Sequence, residues 1–561
     1  MIKVSRPTIC YALYFIGLLG IFFLHADMPL FSSDEGRFSE IAREMFVGHD
    51  FITPRFNYIE HFEKPVFAFL LTALSYVAFG VQSLSARLVS ILSAIAGIFM
   101  MYAFTRKFLG KRTAEFSSII LATSVGYVLI GRFAMIDMLM TFLLSGSLFC
   151  LLTAHIKQKP RYYLFSYGFM GLAFITKGAI GLVLPALIFL SYLAWTGDLG
   201  EIRRMRLGWG LVIIALIFIP WGIAISMQEP EFSHVFLWKQ QMARFATGFF
   251  GRKRPFWFYL PILFALAFPW SLFLPQAVMS GLKENANRKR CIQFLICWIV
   301  VVVAFFSIPK SKLPYYLLPV SMPLTMLVGH LFCDWETSEL RLGVRPSGFK
   351  PVFNLIACIY IAGLLGVNTF LLFWTDDPRL LAVRPVIQGF SVLGPTVVTM
   401  LYFLCGRGQI RRFFYSAAGA VSIFMINIIV CMAILSPYFS SYNFASELKP
   451  HLNSDDLVAV YASPDHFSDF PFYLGRRIAI VGSDRGTLAD ESNEADHSKD
   501  LHVWFMETGD LVTLFSSSQR RAYCLLEEKK LEELRHVGLL RYNLMKREGG
   551  KILISNDYTA D

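Results

Sequence analysis

Two kinds of charged residue stand out in a chain otherwise poor in charge. The first is carboxylate: Asp34 and Glu35 sit in FSSDEGRFSEIARE (31–44), directly after the first apolar segment, and Asp137 lies in RFAMIDMLM at the top of a later one. An ionisable group at the mouth of a membrane span is costly and requires a partner or a task. The second is cationic: Lys64 in HFEKP, Arg132, Lys177 in TKG, Arg244 in QQMARF, and Lys310 and Lys312 in PKSKLPYY. Arginine offers phosphate charge-assisted, often bidentate hydrogen bonds, and lysine offers a point charge. Together, acids and cations predict the handling of a lipid-borne phosphate whose hydrocarbon tail stays in the bilayer. The chain has no GxxxxGK[ST] loop, dinucleotide-binding glycine fingerprint, HExxH or paired-cysteine motif. The activated group is therefore expected to arrive on the lipid and not from a nucleotide.

These residues need elements to carry them. Of 561 residues, 55% are hydrophobic and 16% charged, and the mean hydropathy is +0.53. That is the composition of an integral membrane protein. Apolar runs near 8–25, 84–105, 113–130, 138–154, 162–176, 178–195, 208–226, 258–279, 291–308, 315–333, 351–374, 388–405 and 415–437 predict about thirteen transmembrane helices. The first run follows the basic MIKVSR without a small-residue cleavage site and is expected to be a retained signal anchor. The formal charge of +12 is spread over short loops as topology signals, which argues against nucleic acid.

The segment PVFAFLLTALSYVAFG (65–80) decides which loops face which side. If it is only partly embedded, the basic loops 106–112, 155–161, 201–206, 283–290 and 406–412 all join MIKVSR in the cytoplasm, as the positive-inside rule favours. Nearly every unusual polar residue then shares the outer face, and so does the tail. Residues 1–437 are expected to form a membrane all-α domain and 438–561 a small α/β domain, with strands at 457–461, 477–482, 501–506 and 551–556 and a helix at 527–537.

In the first outer loop, Ser33 is positioned to cap an interfacial helix whose first turn carries Asp34 and Glu35. Phe38, Ile41, Ala42 and Met45 form its apolar stripe, and Glu40, Arg43 and Glu44 are expected to face water. The plain alternative for Asp34 and Asp137 is a structural role at the ends of spans.

The run Asp34-Glu35-Gly36-Arg37-Phe38-Ser39-Glu40-Ile41-Ala42-Arg43-Glu44-Met45 resembles the signature of the lipid A 4-amino-4-deoxy-L-arabinose transferases, in the C-type glycosyltransferase superfamily with the protein O-mannosyltransferases. YIEHFEKPVF, FITKGAIGLVLP, QEPEFSHVFLWKQQMARF, RPFWFYLPIL and FSIPKSKLPYYLLP resemble further family segments, in order, over most of residues 1–330. The resemblance implies inverting transfer of aminoarabinose from undecaprenyl phosphate to a lipid A phosphate, at the periplasmic face of a bacterial inner membrane. It implies catalytic roles for Asp34 and Asp137, and donor-phosphate binding by Glu63, Lys64, Lys177, Arg244 and Tyr316. Glu35, Arg37, Arg132, Lys310 and Lys312 are candidates for support. Where relatives carry Glu-His, this chain reads Gln240-Gln241, so no zinc is expected there. No cofactor is expected, and a need for a divalent metal stays open. The alternatives are a polyprenyl-phosphate-sugar transferase with another sugar or acceptor and, from another class, a lipid transporter.

Overall fold

The computed structural model describes residues 14–230, 232, 254–342, 349–373, 375, 377–406, 410–483, 488, 504–517 and 520–557. The chain divides into two compact units. One comprises Met1–Ala26 and Val89–Cys431, the other Asp27–Leu88 and Met432–Asp561. The first outer loop therefore groups with the tail, which a division by composition at 437/438 does not anticipate.

Among the described residues, seven helices are long and apolar enough to cross a membrane: Ser83–Phe108, Ile136–Lys157, Leu207–Gln228, Arg288–Ser307, Pro314–Arg341, Pro351–Phe373 and Ile410–Phe439. Two pairs bent by 62° and 106° (Lys111–Ala122 with Val125–Gly131, and Phe256–Leu266 with Trp270–Gly281) raise the number to nine if each is one span. At the first bend, Thr123 Oγ1 and Ser124 Oγ each donate to a carbonyl one turn back, at 2.7 Å, and so compete with the helical ladder. The expected spans near 162–176 and 178–195 are helices of 17 residues each, Arg161–Lys177 and Ile180–Thr196. That is the lower limit for crossing a bilayer. In Leu207–Gln228, Leu211 and Leu216 are each 70% exposed. An apolar helix that leaves such side chains uncovered is stable only against lipid.

In the other unit, Phe67–Phe79 has 13 residues, about 20 Å at helical rise against a hydrocarbon core of about 30 Å. It is shorter than a full span. The unit also contains the small β1–β2 hairpin (Arg55–Phe56, Ile59–Glu60) and a six-stranded sheet. The sheet is built from β3 (Leu457–Tyr461), β4 (Ala479–Val481), β5 (Phe505–Met506), β6 (Ala522–Glu527), β7 (Asn543–Glu548) and β8 (Lys551–Ser555), in the order β5-β4-β3-β6-β8-β7. Strands β5, β4, β3 and β6 run parallel, and β8 and β7 add an antiparallel edge. Its core gathers Leu457, Ala459, Ala479, Val481, Cys524, Leu526, Ile552 and Ile554, closed by Leu511, Phe515 and Leu534 from the helices Thr508–Ser517 and Lys530–Val537.

Candidate functional site

The helix Asp34–Val47 differs from its expected form in two respects. Ser33 has φ +78° and makes no side-chain cap, and every residue from Glu35 to Met45 is buried, so Glu40, Arg43 and Glu44 do not form a wet face. Buried charges persist only where they are paired and hydrogen-bonded. Arg43 donates to both oxygens of Glu40, at 2.6 and 2.7 Å. Glu35 accepts from Arg87 Nε at 2.8 Å and Nη2 at 2.9 Å, and from the Phe31 N–H at 2.8 Å. Arg87 also donates to the carbonyls of Met28 and Pro29, at 2.6 and 3.2 Å. One oxygen of Glu44 accepts the Tyr58 N–H at 2.8 Å. Burial, and then the neighbouring Glu40, push the Glu44 carboxyl well above its ordinary pKa.

Arg37 is the hub of this helix. Its guanidinium lies 2.5 Å from Asp34 Oδ1, 3.3 Å from Asp465 Oδ1 and 3.9 Å from Glu63 Oε2. Glu63 Oε1 accepts from Lys64 Nζ at 2.9 Å. Asp34, Arg37, Glu63 and Lys64, separated by up to thirty positions in the chain, thus form one acid–cation set. The tail anchors the start of the helix. Asp469, fully buried, accepts from Ser32 Oγ, Ser440 Oγ and the Ser441 N–H, each at 2.6 Å, and Ser468 Oγ donates to the Ser33 carbonyl. Gly36 permits this approach, because a Cβ there would stand 2.6 Å from the Asp469 backbone nitrogen.

The membrane unit holds a second set. Lys177 ends the helix Arg161–Lys177, and Gly178, at φ +80°, turns the chain away in a conformation that favours glycine. Asp137 stands in the first turn of Ile136–Lys157. Each charge has the sign its helix end favours, and Lys177 Nζ donates to Asp137 Oδ1. The same ammonium lies 4.9 Å from the centre of the Tyr316 ring and 5.9 Å from that of Tyr315, within cation–π range.

The remaining candidates are placed differently. Arg132 donates to the carbonyls of Ile21 and Leu24, where the first helix gives way to turns. Lys312 is buried and donates to the carbonyls of Pro309 and Arg254, and burial pulls its pKa below the ordinary value. Lys310 is exposed, and its carbonyl accepts the Arg254 N–H at 3.1 Å. Arg244 and Gln240-Gln241 lie outside the described residues. Sequence reasoning missed Arg87, Asp465 and Asp469. An arginine inside the apolar run after Ser83 was a usable signal for the first, whereas nothing local marks the two aspartates. Among the described residues, ligand atoms suited to a metal converge at Glu284, His330 and Asp334, which belong to neither acid–cation set.

The family model for dolichyl-phosphate-mannose-protein mannosyltransferase matches residues 63–223. The undecaprenyl phosphate-alpha-4-amino-4-deoxy-L-arabinose arabinosyl transferase 1 of Pseudomonas fluorescens (strain Pf0-1) is 31% identical over 362 residues, 62% of this chain and 62% of that protein. The match thus spans about six tenths of that relative's length. The corresponding transferase of Pseudomonas aeruginosa (strain LESB58) is 31% identical over 394 residues, 67% of this chain and 69% of that protein. A crystal structure of ArnT from Cupriavidus metallidurans bound to undecaprenyl phosphate shares the fold, with a TM-score of 0.85 at 22% identity over 98% of each chain. With the Asp34–Arg37 and Glu63–Lys64 pairs in the loop where the signature falls, and with relatives of this identity and coverage, the chain belongs to the lipid A 4-amino-4-deoxy-L-arabinose transferase family of polyprenyl-phosphate-dependent glycosyltransferases.

Proposed function

We propose that this protein is an inverting glycosyltransferase that moves 4-amino-4-deoxy-L-arabinose from undecaprenyl phosphate to a phosphate of lipid A, at the periplasmic face of the inner membrane. The observation that carries this reading is the pairing of Asp34 with Arg37 beside Glu63 and Lys64. These are the positions that the family pattern gives to the first-loop aspartate and the donor-phosphate pair. A relative crystallised with undecaprenyl phosphate supports the same carrier here.

In the reaction, the bond from the sugar's anomeric carbon to the donor phosphate breaks. A lipid A phosphate oxygen forms the new bond from the opposite side, inverting the centre. The departing undecaprenyl phosphate gains one negative charge. Lys64, Lys177 and Arg244 are assigned to that charge, where fixed cations act on the transition state more than on the ground state. Asp137 holds the Lys177 ammonium, and the Tyr316 ring flanks it. The acceptor phosphate is ionised at neutral pH and surrenders no proton, so Asp34 orients the acceptor or stabilises positive charge on the sugar and does not act as a base. No cofactor takes part in this scheme.

The topology belongs to the same proposal: about thirteen spans over residues 1–437, a cytoplasmic N-terminus, and an α/β region over 438–561 in the periplasm. The basic loops support it. Mass spectrometry of lipid extracts from cells with and without the gene tests the function. Aminoarabinose on lipid A only in the first is the expected result. Unchanged lipid A with another glycoconjugate altered would overturn the assignment of sugar or acceptor.

A further inference from the structure

We propose that Glu284, His330 and Asp334 form a binding site for a first-row divalent cation such as Zn2+, separate from the residues assigned to glycosyl transfer. His330 and Asp334 stand four residues apart on the helix Ser321–Leu342 and so share one of its faces. Glu284 follows the helix Leu274–Gly281, in the turn before Ala286–Ser307. His330 Nε2 is 3.1 Å from Glu284 Oε1 and 3.6 Å from Asp334 Oδ2. All three ligand atoms lie within 4.8 Å of one another. A tetrahedral ion with metal–ligand bonds of about 2.0–2.2 Å sets its ligands roughly 3.3–3.6 Å apart, close to the two shorter separations.

The alternative, a plain ion-pair cluster, accounts less well for the arrangement. One imidazole nitrogen carries at most one hydrogen, yet two carboxylates converge on Nε2. His330 is only 1% exposed, and its Nδ1 has no hydrogen-bond partner among the described residues. No hydrogen bond at Nδ1 therefore fixes the tautomer, and a cation at Nε2 would place the ring proton on Nδ1. Arg288 approaches Glu284 Oε1 only to 3.8 Å and is half exposed, while Ser280 Oγ donates to Asp334 Oδ2 at 3.4 Å in a supporting contact. A cation would relieve the repulsion between the carboxylates and fasten the turn at Glu284 to the helix that carries His330. One nitrogen and two oxygens suit a borderline ion, and three protein ligands leave a position for water. Because the folded chain assembles the ligands, binding would add to stability.

The test uses full-length protein in detergent, freed of any affinity tag and stripped with chelator, and Zn2+ alone as the probe. The expected result is one equivalent bound after dialysis and a saturable rise in Tm. Glu284→Gln, a change in a turn that leaves the helix intact, and Asp334→Asn should each weaken Zn2+ by at least the roughly 10–100-fold that loss of a supporting partner costs. A wild-type protein that takes up no zinc, or no more than Glu284→Gln, would overturn the proposal. The readout is metal and not sugar transfer, so this inference and the proposed function can fail independently.

Discussion

The pair Glu35–Arg87 offers a quantitative test of how the Asp34 helix is held. Arg87 is fully buried and Glu35 is 3% exposed, and the guanidinium meets both carboxylate oxygens. Replacing Arg87 by Met keeps much of the volume but strips the buried carboxylate of its cation and the Met28 and Pro29 carbonyls of their donor. Losing one partner of a buried pair costs about 3–5 kcal/mol, or at least a hundredfold in an opening equilibrium. The Phe31 N–H still satisfies one oxygen of Glu35, which favours the lower end. Glu35→Gln/Arg87→Met should recover part of that loss, because no unpaired charge remains. Hydrogen–deuterium exchange on peptides covering 28–47 reads the local opening directly. The expected pattern is fast exchange in Arg87→Met and partial restoration in the double variant. Additive effects, or unchanged exchange in Arg87→Met, would show that the pair does not hold the helix.

Three further outcomes are expected. Gly36→Ala should lower Tm and transfer together, because its Cβ would meet the Asp469 backbone at 2.6 Å; overpacking of this kind costs about 1–3 kcal/mol, and an unchanged Tm would contradict it. Lys177→Gln should reduce kcat by roughly 10²–10³, the scale for losing one preorganised charge-stabilising donor, whereas Tyr316→Leu should cost only the roughly 0.5–2 kcal/mol of a cation–π contact; steady-state kinetics separates the two. Glu44 has a raised pKa in the fold, so the folded state binds more protons than the unfolded one above the ordinary value of 4.5. Stability should therefore fall as pH rises from there through the raised value, and Glu44→Gln should flatten that part of a Tm–pH profile.

Many of the apolar helices were legible because hydropathy is a local signal. The short helix Phe67–Phe79 follows from the length of its apolar run, and β3, β4 and β8 from short apolar runs. The central strand β6, AYCLLE, was missed because its alternation is weak and charges flank it. The opposite error befell Glu40, Arg43 and Glu44. Helical periodicity sends charges to water, but pairing of Arg43 with Glu40 and of Arg87 with Glu35 makes burial tolerable, and such pairing is visible only in three dimensions. Within the two acid–cation sets, Asp34, Glu63 and Lys64 in one and Asp137, Lys177 and Tyr316 in the other could be singled out because motifs carry them. Asp465, 428 positions from Arg37, carries no such mark.

Purified wild-type protein and its Asp34→Asn variant should be assayed for transfer of aminoarabinose from undecaprenyl phosphate to lipid A. The proposed function predicts robust transfer by the wild type. It also predicts a severe loss in Asp34→Asn with an unchanged Tm. Undiminished transfer by Asp34→Asn, or none by a folded wild type given this donor and acceptor, would contradict it.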